Sequence, residues 1–498
     1  MSPSLAMVYS RAKLGIDAPL VCVETHLSNG LPSFNIVGLP EAAVKESKDR
    51  VRSALLNSYF EFPARRITVN LAPADLPKDG GRFDLAIALG ILAASEQIPS
   101  SNLTKYECLG ELALSGELRP ISSALPSAMA CADQGRALII SSDNALEAAL
   151  AGGRCYAAHN LLSVCAHLHR REAMPQVTAM PPSAENTIAD LADVKGQLQA
   201  RRALEIAAAG LHNLLLYGPP GTGKTMLASR LAGILPPLND KEALQVAAIY
   251  SAGNGGSAPN WRQRPFRNPH HSASAIALVG GGSTPQPGEI TLAHKGVLFL
   301  DELPEFPRSV LEVLREPMEN GEIRISRARA QLCFPARFQL IAAMNPCPCG
   351  HSGSSSRACS CNFEQIKRYR DRISGPLLDR IDLQVPVNNL VRGELQSQQR
   401  GESSATVAAR VKSCLARQYQ RQGVSNAELG GESLAEHCCL TQQQQNMMET
   451  AMEKLGLSAR AFHRTLKVAR TLADLTGEAQ IQTPHLNEAL SYRMLDRG

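Results

Sequence analysis

Hydrophobic positions near the N-terminus follow two patterns, short runs rich in β-branched residues and apolar positions at helical spacing. Leu20–Thr25 and Ile67–Leu71 are of the first kind and predict two strands. Glu41–Asn57 carries apolar residues at helical spacing among charged ones, which predicts an amphipathic helix. Leu85–Ala94 is the longest apolar run, and it predicts a buried helix because a membrane span needs about 20 residues.

Three apolar runs in the middle of the chain predict buried strands. They are Leu214–Tyr217, Gly296–Leu300 and Phe338–Met344. Runs without polar alternation are typical of parallel sheets that are covered on both faces. Met226–Leu235 follows the first run and has the spacing of a helix. Because helices alternate with these strands, we expect an α/β fold with a doubly wound parallel sheet.

Two polar stretches divide the chain. Residues 172–187 contain prolines and little hydrophobic periodicity, which predicts a linker, and residues 388–405 are rich in Gln, Ser and Gly. We therefore distinguish an N-terminal block (1–171), a middle block (188–388) and a tail block (405–498). Helical spacing in the tail block predicts four helices, Thr406–Gln422, Thr441–Leu455, Ala459–Leu475 and Pro484–Arg493.

Composition narrows the class of protein without selecting a function. A chain of 498 residues with 44% hydrophobic and 19% charged residues can form several packed domains, which excludes a disordered protein. The net charge of +5 permits nucleic-acid binding but does not require it. The segment Met1–Gly15 lacks an apolar core of signal-peptide length, and the 13 cysteines are scattered. These features predict a cytoplasmic protein that does not enter the membrane, with its thiols free or metal-bound.

The first apolar run of the middle block leads into a phosphate-binding sequence. Residues 218–225 fit the pattern G-x-x-x-x-G-K-[ST], and they lie between a predicted strand and a predicted helix, as this motif requires. Lys224 would neutralise the β- and γ-phosphates of ATP, and Thr225 would offer its hydroxyl to Mg²⁺. The predicted nucleotide-binding residues are Gly218, Pro219, Pro220, Gly221, Thr222, Gly223, Lys224 and Thr225.

Polar residues follow the other two buried strands of the middle block. Asp301 and Glu302 come directly after Leu300, and Asn345 comes directly after Met344. Ligands bind at the carboxyl ends of parallel strands, so Asp301 would hold Mg²⁺ and Glu302 would polarise the attacking water. Asn345 would orient that water beside the γ-phosphate. An alternative interpretation of the acidic pair is a solvated end of a strand.

Four cysteines follow Asn345 closely. Cys347, Cys349, Cys359 and Cys361 form two C-x-C pairs on a segment rich in Gly and Ser. Four thiolates at such spacing suit a tetrahedral structural Zn²⁺, with His351 as a spare ligand. Free thiols and redox pairing are the alternatives.

The middle block resembles AAA+ ATPases of the magnesium-chelatase branch. The resemblance places Asn345 at the sensor-1 position. Leu377–Leu383 matches the segment that carries the arginine finger, which would be Arg380, and Ser458–Arg460 matches the sensor-2 segment, so that Arg460 is the sensor. A finger that reaches the nucleotide of a neighbouring subunit implies a homohexameric ring. The alternative for Arg380 is a surface salt bridge beside Asp379 and Asp382.

Segments along the whole chain resemble the YifB/ComM family of magnesium-chelatase-like proteins. The strongest are Val37–Pro40, Asn70–Gly81, Arg264–His271, Leu298–Phe306 and Phe462–Arg470. Members of the ComM type are hexameric helicases that promote branch migration when transforming DNA is integrated. The resemblance implies an AAA+ P-loop core and a C-terminal helical lid, with single-stranded and branched DNA as partners.

The N-terminal block resembles the α+β proteolytic domain of Lon. In this resemblance Arg82 stands where the nucleophilic serine belongs, and Leu125 stands where the catalytic lysine belongs. A Ser–Lys dyad needs a hydroxyl and an amine within hydrogen-bond reach. We therefore expect the Lon-like fold without the peptidase activity.

Two basic segments are candidates for DNA contact. Ile323–Cys333 alternates apolar and basic residues and predicts a β-hairpin, and in related ring helicases such a hairpin faces the pore, where Arg327 and Arg329 would meet phosphates. The alternative is an exposed hairpin with solvated arginines. Arg264 and Arg267 lie on a second basic loop that either lines the pore or packs inside the protein. Because aromatic residues make up only 4%, backbone contacts should dominate over base stacking.

Three functions compete. The first is a hexameric ATP-driven DNA motor with branch-migration activity. The second is a chelatase-type motor that remodels a protein partner, against which the N-terminal block counts, since the chelatase motor subunit is little more than an AAA+ core with a lid. The third is an ATP-dependent protease, which the identities of Arg82 and Leu125 oppose.

Overall fold

The computed structural model of the chain describes residues 5–178, 189–253, 259–282, 285–327, 330–353, 357–389 and 401–493. Within these residues the N-terminal block is built on an eight-stranded mixed sheet of order β10-β9-β8-β5-β1-β2-β4-β3. Its ten strands are β1 Leu5–Arg11, β2 Leu20–Ser28, β3 Ser33–Val37, β4 Arg66–Ala72, β5 Tyr106–Cys108, β6 Glu111–Leu112, β7 Leu118–Arg119, β8 Ala137–Ser141, β9 Cys155–Ala158 and β10 Gln176–Val177; β6 and β7 form a separate hairpin. Its helices are α1 Ala42–Lys45, α2 Ser47–Asn57, α3 Asp84–Ala94, α4 Ala124–Asp133, α5 Ser142–Ala149 and α6 Leu161–Leu168.

The predicted elements of the N-terminal block are confirmed, with one difference. The two predicted strands lie in β2 and β4, and every residue of α3 is buried, as its apolar run predicted. The single helix predicted for Glu41–Asn57 is divided into α1 and α2. At the division Ser47 is fully buried, and its hydroxyl donates a hydrogen bond to the carboxylate of Asp84 in α3. A tertiary contact therefore sets where α2 begins.

The middle block contains a five-stranded, wholly parallel sheet of order β12-β15-β18-β11-β19. The predicted doubly wound parallel sheet is thus confirmed, and its three central strands were the predicted ones. The strands of the block are β11 Leu214–Tyr217, β12 Phe266–Arg267, β13 Gly280–Gly281, β14 Gln286–Pro287, β15 Val297–Leu300, β16 Glu322–Arg327, β17 Ala330–Pro335, β18 Gln339–Met344 and β19 Leu383–Pro386. Its helices are α7 Leu198–Gly210, α8 Lys224–Arg230, α9 Asp240–Ala252, α10 Ala275–Val279, α11 Glu289–Leu292, α12 Arg308–Glu312, α13 Arg315–Asn320, α14 Phe363–Arg370 and α15 Gly375–Leu378.

Helices of the tail block pack on the middle block. Its helices are α16 Ser404–Gln422, α17 Gly431–His437, α18 Gln442–Leu455, α19 Ala459–Thr476 and α20 Thr483–Ser491. Four of them match the predicted helices within about two residues. The short helix α17 was not predicted, and among its residues only Leu434 is buried, so its sequence carries little periodicity. Both α16 and α19 pack against α7, and one hydrophobic cluster runs from the parallel sheet into the tail block.

The edge of the N-terminal sheet extends beyond residue 171. Strand β10 pairs with β9 and lies inside the stretch predicted as a linker. Residues 179–188 of that stretch lie outside the described residues. Among the described residues, no helix combines the length and the apolar character that crossing a bilayer requires.

Candidate nucleotide site and cysteine cluster

Three predicted site segments meet because their strands are neighbours in register. Tyr217, at the end of β11, pairs with Met344, at the end of β18. Leu300, at the end of β15, pairs with Ala342 of β18. The segment 218–225, the acidic pair and Asn345 therefore emerge from the same edge of the sheet, as the sequence predicted.

Lys224 connects the glycine-rich loop with Asn345. The loop turns through Gly221 and Gly223, whose φ angles of 78° and 88° favour glycine. The Lys224 ammonium donates hydrogen bonds of 2.8 Å to the carbonyls of Gly218 and Pro219, and one of 3.1 Å to Asn345 Oδ1. Burial lowers the pKa of Lys224, although the carboxylates of Asp301 and Glu302 oppose the shift. A cation is thus held where phosphate oxygens would bind.

Thr225 and Asp301 lie side by side at the edge of the sheet. The Thr225 hydroxyl donates a hydrogen bond of 2.6 Å to Asp301 Oδ2. The other carboxylate oxygen of Asp301 accepts a 2.9 Å hydrogen bond from the backbone N–H of Glu302. Hydroxyl and carboxylate oxygens are ligands that Mg²⁺ prefers, so these two residues fit the ion that accompanies ATP.

The side chain of Glu302 faces a histidine from a segment about 30 residues earlier in the chain. Glu302 has a φ of 53°, which is uncommon for a residue with a side chain. Its Oε2 lies 3.1 Å from Nδ1 of His271, and the ring of His270 contacts that of His271, with centroids 4.1 Å apart and the ring planes tilted by 34°. The histidines follow β12, which pairs with β15 and so brings their loop beside Glu302. A two-residue strand has no periodicity that could have predicted this placement.

Arg380 and Arg460 share one carboxylate. The Arg380 side chain is 4% exposed, and it donates a hydrogen bond to Glu319 and one of 2.5 Å to the carbonyl of Pro376. Burial lowers the pKa of Arg380, and Glu319 opposes that shift. Arg460 is 63% exposed and lies 3.9 Å from Glu319. The salt bridge of Arg380 is thus made with Glu319 rather than with Asp379 or Asp382.

The four cysteines of the two C-x-C pairs come together. Their sulfur atoms all lie within 4.8 Å of one another, and those of Cys347, Cys349 and Cys359 are 3.4–3.7 Å apart. Four sulfurs at the zinc–thiolate distance in a tetrahedron stand about 3.8 Å apart, so the cluster fits Zn²⁺. Backbone N–H groups of His351 and Ser360 lower the pKa of Cys349 to about 5, which favours the thiolate that a metal binds.

His351 does not belong to this group of ligand atoms, and its buried Nδ1 has no hydrogen-bond partner among the described residues. The cluster lies directly on the glycine-rich loop. A Cβ placed on Gly350, between the first cysteine pair and His351, would stand 2.8 Å from Cδ of Pro220 and 4.0 Å from Cγ of Asn345. The cysteine segment therefore forms one wall of the candidate nucleotide site.

The candidate DNA-contacting arginines differ in their surroundings. Arg264 donates hydrogen bonds of 2.7 Å to the carbonyls of Pro236 and Lys295, and Arg267 makes a bidentate pair with Glu289 at 2.6 and 2.7 Å. These contacts favour the packing alternative for that loop. The predicted hairpin is confirmed as β16–β17, in which the backbone of Arg327 pairs with Ala330. Arg329 and the side chain of Arg327 lie outside the described residues.

Arg82 and Leu125 are both buried in the N-terminal block. The Arg82 guanidinium donates hydrogen bonds to the carbonyls of Ser122, at 2.5 Å, and Arg11, at 3.4 Å. Burial lowers the pKa of Arg82 to about 10. Leu125 is fully buried within α4. Both side chains are thus buried inside the N-terminal block. The loss of peptidase activity stays a prediction.

The parallel sheet and the residues at its edge define a P-loop protein of the magnesium-chelatase class, and three family models agree. "Magnesium chelatase, subunit ChlI" matches residues 190–395, "Subunit ChlI of Mg-chelatase" matches residues 23–144, and "Magnesium chelatase, subunit ChlI C-terminal" matches residues 401–493. This family membership indicates ATPase activity with ATP and Mg²⁺.

The chain belongs to the YifB/ComM family of magnesium-chelatase-like proteins. It is 54% identical over 498 residues to YifB of Salmonella typhimurium, with 99% of this chain and 98% of that protein covered. Competence protein ComM of Haemophilus influenzae is 55% identical over 504 residues, with the same coverage. YifB of Escherichia coli is 52% identical over 498 residues, again covering 99% and 98%. Each relative thus matches over nearly its full length.

Proposed function

We propose that the protein is a hexameric ATP-driven DNA motor that promotes branch migration of recombining DNA during natural transformation. The observation that carries its ATP-dependent part is the convergence of Lys224, Asp301 and Asn345 at one edge of the sheet. The DNA-dependent part is supported by the full-length similarity to a competence protein.

In this proposal each residue of the site has a separate task. Lys224 would leave the loop carbonyls and bind the β- and γ-phosphates of ATP, while Asn345 orients the attacking water. Thr225 and Asp301 would hold Mg²⁺, which neutralises developing charge on the phosphates. Glu302 would accept a proton from the water. His271 contacts the Glu302 carboxylate and would fix its direction.

Hairpin β16–β17 is the proposed DNA-contacting element. Arg327 and Arg329 would bind phosphates, for which the forked guanidinium is suited because it donates two parallel hydrogen bonds. Arg264 and Arg267 are left out of this surface, since their guanidinium groups are engaged within the chain.

DNA should stimulate ATP hydrolysis if this proposal is right. We expect single-stranded and branched DNA to raise the steady-state rate several-fold. The DNA concentration that gives half-maximal stimulation should rise about tenfold or more between about 50 and about 200 mM salt, because phosphate contacts release counterions. A rate that stays the same with every DNA would contradict the DNA-motor proposal.

A motor that remodels a protein partner is the second candidate. The argument against it was the presence of the N-terminal block, and the match of residues 23–144 to a model named for the chelatase subunit weakens that argument. ATP hydrolysis that ignores DNA but responds to a protein partner would favour this function. Degradation of casein in the presence of ATP would instead support the protease that Arg82 and Leu125 oppose.

Zinc is the proposed structural metal of the cysteine cluster. The purified chain should contain one zinc ion, and Cys359→Ser should contain close to none, as measured by elemental analysis. Because metal binding is coupled to folding, the melting temperature should fall by about 5 °C or more. Cys333→Ser is the control, since this exposed cysteine lies outside the cluster. Equal zinc content in both variants would refute the assignment.

A further inference from the structure

The N-terminal block extends a β-hairpin toward the middle block. Strands β1 and β2 pair from Leu5 to Arg11, and the pairing continues beyond the strands. The backbones of Leu14 and Asp17 exchange two hydrogen bonds of 3.0 Å, so that the ladder closes in a two-residue turn. Gly15, in this turn, has a φ of 64°, which glycine adopts without steric cost. We call Leu14–Asp17 the tip.

The tip lies on the base of hairpin β16–β17. Leu14 and Ile16 pack against the hydrophobic cluster that includes Leu332 and Phe334. A Cβ placed on Gly15 would stand 3.4 Å from Cε1 and Cζ of Phe334 and 3.8 Å from Cδ1 of Leu332. The Phe334 side chain is fully buried. The apolar face of the hairpin is thus closed by residues of another block.

A second contact joins the N-terminal block to α9. Ser251, near the end of α9, accepts two hydrogen bonds from the start of α4, a 2.9 Å bond from Ser123 N–H to its carbonyl and a 3.2 Å bond from Leu125 N–H to its hydroxyl. Ile16 of the tip also packs on the hydrophobic cluster of α9. The tip and α4 therefore both contact α9, and the tip also contacts the hairpin.

Arg82 links the two contacts. Its guanidinium binds the carbonyl of Arg11, at the end of β1, and the carbonyl of Ser122, directly before the residue that contacts α9. Lys13, at the base of the tip, also lies 3.4 Å from the hydroxyl of Ser122. One buried side chain thus fixes the spacing between the tip and α4.

We infer that the N-terminal block serves as a brace that supports the base of hairpin β16–β17 and ties it to α9, with Leu14–Asp17 as the contacting tip and Arg82 as a positioning residue. A hairpin that must transmit force needs a rigid base, and its own two strands cannot supply one, because an isolated hairpin is marginally stable in water. The packing part of this inference is independent of what the hairpin binds. Its consequence for DNA rests on the proposed function.

Hydrogen exchange of the full-length chain tests the packing. Ile16→Ser should accelerate amide exchange about tenfold or more in β16 and β17, because the apolar support of the hairpin is lost. Exchange in β4, on the far side of β2, should not change. Leu31→Ser is the control, since Leu31 is 89% exposed in the same block. Unchanged exchange in the hairpin, with faster exchange in the tip, would overturn the inference.

Two milder variants keep the test decisive if Ile16→Ser does not fold. Gly15 and Gly135 have φ angles of 64° and 67°, so alanine strains the backbone equally at both. A Cβ meets Phe334 at Gly15, whereas nothing lies within 4 Å of it at Gly135. The Cβ at Gly15 would be in ordinary van der Waals contact with Phe334, so the backbone strain of Gly15→Ala should reach the hairpin and loosen it, whereas the strain of Gly135→Ala should not. Equal exchange in the two variants would count against the brace.

A third variant tests Arg82. Arg82→Met keeps an apolar stem but loses both carbonyl contacts, and it should accelerate exchange in the tip and in the hairpin together. Acceleration confined to the tip would remove Arg82 from the inference.

Rates of ATP hydrolysis then distinguish a failure of the brace inference from a failure of the proposed function. In Ile16→Ser the basal rate should stay within about twofold of wild type, while stimulation by DNA is lost. If the wild type itself shows no stimulation, the DNA-motor proposal fails and the exchange data still decide on the brace. Full stimulation in a variant with a loosened hairpin would show that the brace has no role in coupling.

Discussion

Replacing Glu302 with glutamine is expected to lower the steady-state rate of ATP hydrolysis by a factor of about 10²–10⁴ and to leave ATP affinity near that of the wild type. The amide keeps the size of the side chain and can still contact His271, but it cannot accept a proton from water. Lys224, Thr225 and Asp301 remain in place to bind the nucleotide and its ion. Stimulation by DNA should disappear together with the basal rate.

Two quantities are measured for each variant: the rate of phosphate release and the equilibrium affinity for a fluorescent ATP analogue. Glu305→Gln is the matched control, because Glu305 is a nearby exposed carboxylate that pairs with Arg372. That variant should hydrolyse ATP at close to the wild-type rate. Loss of both binding and hydrolysis in Glu302→Gln would place Glu302 in the binding site and would contradict its role as a base. An unchanged rate would locate the catalytic carboxylate elsewhere.

Replacing Arg380 with alanine is expected to lower ATP hydrolysis about 10³-fold, as the loss of an arginine finger does in related phosphoryl-transfer enzymes. In this structure the guanidinium is bound to Glu319 within the same chain. It would have to exchange that carboxylate for the γ-phosphate of the adjoining subunit. Because Glu319 is about half exposed, Arg380→Ala leaves no buried unpaired charge. The variant does remove a side chain that is only 4% exposed, so its melting temperature is measured before the rates are compared.

Mixing two inactive variants tests whether Arg380 acts between subunits. Arg380→Ala retains Glu302, and Glu302→Gln retains Arg380, so a mixed ring contains interfaces with both groups. In a random equal mixture roughly a quarter of the interfaces are complete, and the rate should recover toward that fraction of the wild-type rate. Arg372→Ala, which breaks a nearby Arg–Glu pair that is exposed on both sides, should hydrolyse ATP normally. A mixture as inactive as its components would contradict a finger acting in trans.

The strongest local patterns determined the elements at the centre of the middle block. The runs before Gly218, Asp301 and Asn345 are short and apolar on both faces, which is typical of buried parallel strands. The polar residues at the strand ends were then predictable, because each directly follows an apolar run in the sequence. The tail helices were predictable for a similar reason, since the apolar residues of α19 recur at helical spacing along its 18 residues.

The cysteine cluster was equally visible in the sequence. Two C-x-C pairs separated by a short segment can reach one another without the rest of the fold. Its position was not visible, because the contact between Gly350 and Pro220 joins segments about 130 residues apart.

The tertiary structure alone decided which charged groups are engaged. In the sequence, Arg264 and Arg267 resemble arginines that contact phosphates. In the structure, Arg264 donates its hydrogen bonds to backbone carbonyls and Arg267 donates its hydrogen bonds to Glu289. Arg380 was predicted as an arginine finger, with a salt bridge beside Asp379 and Asp382 as the alternative, and in this structure it is paired with Glu319 of α13. A charged side chain binds whichever opposite charge the fold brings near, and sequence spacing does not report that.

The sequence by itself thus determined the parallel sheet, the order of the polar residues at its edge and the cysteine set, because each depends on a continuous stretch of chain. Only the tertiary structure placed His271 at Glu302, Glu319 at Arg380 and the tip at Phe334. These contacts join segments that are distant in sequence, through strands too short to show a period or through turns that have none. Their geometry is set by the packing of whole blocks, which no local pattern encodes.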